Sequence, residues 1–95
     1  MTDHLIQCPS TPAATDIVDA VDAGELWGIN MGTTSKASSY SNFVLVECTQ
    51  TRGDNLFDAN PDYNEYSFLL SQADPDSFSE SGAKCKYWYL RGMLS

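Results

Sequence analysis

The densest apolar run in the chain is Phe43-Val44-Leu45-Val46-Glu47-Cys48, a mixture of aromatic and β-branched residues set between the polar stretch 36–41 and the turn-forming stretch 51–55. Apolar side chains alternate to both sides of it, Phe43 and Leu45 one way and Val44 and Val46 the other. The pattern predicts a central strand over about 42–50 with both faces covered.

A second pattern has helical period. Thr11 is placed to cap a helix whose first residue is Pro12, and Gly24 stands where a helix-ending glycine belongs. Over Pro12–Ala23, Ala13, Ala14, Ile17, Val18 and Val21 fall on one side, while Asp16, Asp19 and Asp22 run along the other. The prediction is an amphipathic helix with an acidic outer face. Asp is a mediocre helix former, and Asp22 at the C-terminal end opposes the helix dipole, so stability alone would not select this stripe.

Alternation predicts the remaining strands. Trp27, Ile29 and Met31 share a side within Glu25–Gly32, and Tyr66, Phe68 and Leu70 share one within Asn64–Ser71. Lys84–Arg91 also alternates, with Cys85, Tyr87 and Tyr89 opposite Lys84, Lys86 and Trp88. Residues 1–9 read as an edge strand or an N-terminal arm. Thr33–Ser41 reads as a polar loop carrying Lys36, and Asp54–Tyr63 and Gln72–Gly82 read as loops, the latter with a helical turn after Pro75. The expected architecture is α+β, a single domain over 1–95 in which one amphipathic helix packs on an antiparallel sheet of four to five strands.

Composition supports a packed domain, with 42% hydrophobic and 12% aromatic residues. No apolar run approaches the roughly 20 residues that span a bilayer, and 1–6 has no basic leader, so a cytoplasmic protein is expected. Three widely spaced cysteines, Cys8, Cys48 and Cys85, fit neither a disulfide framework nor paired zinc ligands. Cys48 reads as a core residue. Cys85 lies between Lys84 and Lys86, which would favour its thiolate if exposed, although a buried cysteine is the commoner case.

The chemistry-bearing motifs are incomplete. Asp58, Asn60, Asp62 and Asn64 put oxygen side chains at every second position, as a calcium loop begins, but Tyr63 and Leu69 stand where that loop needs Gly and Glu. Turn chemistry explains the spacing better. Arg52-Gly53-Asp54 reads as a turn rather than an adhesion tripeptide. His4 is the only histidine, and no acid, base and nucleophile set assembles around it. The expectation is therefore a protein that is not an enzyme and needs no cofactor or metal.

Charge is what remains, and it is clustered. Residues 1–35 carry −5, 36–52 carry +1, 53–83 carry −7 and 84–95 carry +3, for a net −8. Such a surface repels nucleic acid and membranes and attracts basic proteins, although acidity also serves plain solubility. An Asp at every third helical position rises about 4.5 Å per carboxylate, near the spacing of about 3.4 Å between phosphates of one DNA strand. The expected partner-binding residues are Asp16, Asp19, Asp22, Asp54, Asp58, Asp62, Glu65, Asp74 and Asp76, with Phe57 and Tyr63 as aromatic anchors.

The expected function is a small acidic inhibitor that occupies the basic, nucleic-acid-binding surface of a partner protein or nuclease complex. Small size, acidity and the lack of catalytic motifs are shared at class level with phage-encoded anti-defence proteins, the anti-CRISPR and anti-restriction inhibitors, which would place it in the host cytoplasm. The alternatives are a structural or assembly subunit of a virion or larger complex, and a small carboxylate- or cysteine-dependent enzyme or calcium module.

Overall fold

The computed structural model describes residues 1–60, 63–65 and 82–94. In chain order these form β1 (Thr2–Gln7), α1 (Thr11–Asp22), β2 (Glu25–Leu26), β3 (Ile29–Asn30), β4 (Lys36–Tyr40), β5 (Phe43–Cys48), α2 (Gln50–Ala59), β6 (Asn64–Glu65) and α3 (Gly82–Leu94). The class is α+β, as the patterns predict.

Three full strands make the main antiparallel sheet in the order β4-β5-β1, and the two-residue β6 extends it beyond β1. β1 and β5 pair from Thr2 opposite Cys48 to Gln7 opposite Phe43, and β4 and β5 from Lys36 opposite Glu47 to Tyr40 opposite Phe43. β2 and β3 form a separate hairpin.

The central strand is covered on both faces. Ile6, Val44, Val46 and Cys48 look toward α1 and α2 and bury Ala14, Ile17, Val21 and Leu56. Leu5 and Leu45 look the other way and meet Tyr87 and Leu90 of α3. Each fully buried aliphatic side chain of this kind contributes about 1.5–3 kcal/mol, so both layers hold the sheet.

α1 forms where the sequence places it, with its cap one residue earlier. Ser10, not Thr11, takes the N-cap position and its hydroxyl accepts a hydrogen bond from the Ala13 N–H at 3.2 Å. Gly24 ends the helix with φ +92°, a conformation open to glycine without cost.

Four predictions are corrected. Where one helix is predicted, the described residues form three. Lys84–Arg91 lies inside α3, because Tyr87, Leu90 and Leu94 recur at helical spacing toward the sheet and the alternation around them is incidental. Asp54–Tyr63 is largely the helix α2, which Thr49 caps by accepting from the Arg52 N–H. Its Gly, Asp and Asn residues have low helix propensity, which burial of Leu56 and Gly53 overrides.

The Glu25–Gly32 strand is broken into two by a tight turn at Trp27-Gly28, both with positive φ. The adjoining loop holds β4, whose small side chains Ala37, Ser38 and Ser39 fit beneath neighbouring helices without an apolar signature. Within Asn64–Ser71 the described residues form β6; residues 66–71 lie outside them. Among the described residues no helix is long and apolar enough to cross a membrane.

Candidate acidic interface

α1 and α2 cover the same face of the sheet, and their outer surfaces carry most of the predicted carboxylates that the structure describes. Asp16, Asp19 and Asp22 are exposed on α1, and Asp54 and Asp58 are exposed on α2. The Asp54 carboxylate accepts from the Gln50 amide at 2.8 Å. Among the described residues none of these five pairs with a Lys or Arg. Asp62, Asp74 and Asp76 lie outside the described residues, as does the side chain of Glu65, whose backbone pairs with Ile6.

Several basic side chains are engaged elsewhere. Arg91 of α3 reaches Asp3 and Glu47, each at 3.4 Å, and the Tyr87 hydroxyl donates to the same Asp3 carboxylate at 2.8 Å. Arg52 turns its Nε–H onto the Asn30 carbonyl at 2.9 Å, and the Lys86 ammonium sits 4.0 Å above the Tyr40 ring. The two acids nearest α3 are thus neutralised internally, whereas those on α1 and α2 face solvent.

The two predicted aromatic anchors separate. Phe57 is half-buried and packs against the core beneath α2. Tyr63 pairs with Trp27, the ring centroids 4.7 Å apart and the planes tilted by 50°. Beside that pair a cleft of about 320 Å³ opens against one stripe of α1, bordered by Ala13, Asp16 and Ala20. The alternation through 27, 29 and 31 hid this site. The useful signal was the Trp27-Gly28 pair between two apolar positions, which marks a turn that leaves an aromatic ring at its tip.

Three reactive side chains, His4, Cys8 and Tyr87, are buried. His4 is buried, and its Nε2 lies 2.8 Å from the Thr2 hydroxyl. Burial pushes the Cys8 thiol up to about 11. Burial, reinforced by the bond to Asp3, pushes the Tyr87 hydroxyl up to about 12. Both groups are therefore neutral at physiological pH. Asp58 lies in the last turn of α2 and Asn60 is its C-cap, so the calcium-like spacing begins across a helix end. Among the described residues no cluster of three or more His, Cys, Asp or Glu side chains forms a candidate metal site.

Comparison with protein-family models, curated proteins and solved structures finds no match to this chain.

Proposed function

We propose that this protein is a small binding module that presents the acidic α1–α2 layer to a basic protein surface, and acts there as an inhibitor by excluding nucleic acid. The observation that carries this reading is the uneven disposition of charge. Five carboxylates stand exposed on the two helices of one face without a Lys or Arg partner among the described residues, while Arg91 is held by Asp3 and Glu47 on the other. Asp16 and Asp19 are neighbours at i and i+3, as are Asp19 and Asp22; like charges so close disfavour the isolated helix and are relieved by an opposing cationic surface.

The test is affinity capture from a nuclease-treated lysate of the native host at low and moderate salt, with the chain carrying Asp16→Asn, Asp19→Asn and Asp22→Asn in parallel. The reading expects a stoichiometric nucleic-acid-binding protein that is released as salt rises, is not retained by the triple variant, and loses its nucleic acid when this chain is added. Capture unaffected by the substitutions, or a captured protein that still binds nucleic acid, overturns it.

A second reading, an assembly subunit, is favoured by a different surface. Tyr40 on the edge strand β4 stacks on Tyr89 of α3 at 4.7 Å, yet both remain exposed, as does Met93 one helical turn further on. Large exposed apolar side chains beside a sheet edge are a means of self-association. Sedimentation would reveal it as an oligomer that persists at high salt and dissociates on Tyr40→Ser with Tyr89→Ser.

A further inference from the structure

Trp27 occupies the first of two residues joining β2 to β3, with φ +52°, and Gly28 follows with φ +83°. Two successive left-handed residues are the signature of a type I′ turn, whose first position is ordinarily Asn, Asp or Gly. A side chain with a β-carbon is strained in that conformation. The ring is partly buried and packs against the core, and it also borders a cleft. Strain retained at an aromatic that borders a cleft points to use of the ring.

The surroundings define what the ring can recognise. Trp27 and Tyr63 line the cleft of about 320 Å³ together with the small Ala13 and Ala20 and the acidic Asp16 of α1. Asp16 has no Lys or Arg partner among the described residues. A carboxylate at this position repels phosphate and other anions, and an aliphatic occupant would desolvate it without compensation. A planar cation satisfies both features, stacking on the rings while its N–H groups point to the carboxylate.

We propose that this cleft receives an arginine side chain of the partner, its guanidinium against the Trp27–Tyr63 pair and donating to Asp16. The proposal rests on the reading of the partner as a basic protein and places the anchor of that interface. Arginine is preferred to lysine because only the guanidinium is flat enough to stack and forked enough to bond a carboxylate through two N–H groups.

The experiment is a two-dimensional NMR titration of the full chain with N-acetyl-arginine amide, and separately with N-acetyl-lysine amide. Saturable shifts are expected at the Trp27 indole N–H and at the amides of Asp16 and Gly28, with the arginine probe binding about threefold or more tighter than lysine. Asp16→Asn should weaken the arginine probe about threefold or more.

Shifts that do not saturate, that appear equally at Asp19, Asp54 and Asp58, or that persist in folded Trp27→Asn protein overturn the proposal. The partner reading fails separately. Saturation at the cleft without a captured basic protein removes the partner and leaves the arginine site; a captured partner that binds Trp27→Asn protein as tightly as the original removes the site and leaves the partner.

Discussion

The imidazole of His4 occupies the space that a β-carbon on Gly53 would need, so α2 lies directly over the ring through a position where the helix has no side chain. Gly53 is buried in the middle of that helix, where alanine would ordinarily add about 1 kcal/mol of helix stability. Here Gly53→Ala should instead destabilise the fold by about 1–3 kcal/mol, because the methyl group overlaps a buried ring and α2 must lift. Urea unfolding measures this. Combining it with His4→Ala should cost less than the two single changes together, since removing the ring vacates the contested space. A Gly53→Ala protein as stable as the original would mean that α2 is not seated by this contact.

Asp3 and Glu47 are directly opposed across β1 and β5, an arrangement of like charges that weakens a sheet unless a cation lies over it. Arg91 supplies that cation at 3.4 Å from each. The two acids are largely covered and the guanidinium is about one-third exposed, so Arg91→Gln should cost about 1–2 kcal/mol, short of a fully buried pair. The loss should shrink as salt is raised, and an identical loss at low and high salt would assign it to packing of the arginine stem instead.

Alkaline pH should loosen the α3 layer. The Tyr87 hydroxyl ionises near 12 in the native chain and near 10 in the unfolded one, so its native proton is the more tightly held. Its contribution is complete below about pH 10 and is lost as pH rises toward 12, where the unfolded state has already released the proton. Cys8, raised from 9 to about 11, acts in the same sense one unit lower. Urea midpoints should therefore hold steady to about pH 9 and then fall, and Tyr87→Phe should flatten the part of the decline above pH 10. A profile that Tyr87→Phe leaves unchanged would contradict this.

Ser41 begins the two-residue turn between β4 and β5 with φ +56°. Its side chain is exposed, so Ser41→Gly removes the conformational penalty with little loss of packing. Thermal unfolding should show a gain of about 0.5–1 kcal/mol. No gain, or a loss, would show that the hydroxyl or the chain entropy of the unfolded state outweighs the turn strain.

The sequence was most legible where periodicity and burial agree. Phe43–Cys48 alternates because the sheet has a layer on each face, and α1 carries its signals in Ser10, Pro12 and Gly24 as well as in its apolar stripe. α3 was misread because Tyr87 and Tyr89 alternate with Lys86 and Trp88, so that a helical stripe and a strand face share members over so short a span. α2 was missed because its stability comes from contact with β1 and β3 rather than from its own residues. The acidic stripe of α1 was readable from spacing alone. The Trp27–Tyr63 cleft was not, since it joins residues 36 positions apart through a turn that only the backbone reveals.

β1 precedes the other elements described, yet it lies between β5 and β6, and its Thr2 must find Cys48, a residue 46 positions away. The hairpin of β4 and β5 closes through only two residues, and α1 through contacts within a few turns of itself. Local pieces such as these form before long loops close. Until β5 is in place Leu5 and Ile6 lack the strand that buries them, so β1 docks onto a hairpin already formed. Closure of β1 onto β5, with its long separation in sequence, should therefore limit the folding rate more than the helices that carry the charge.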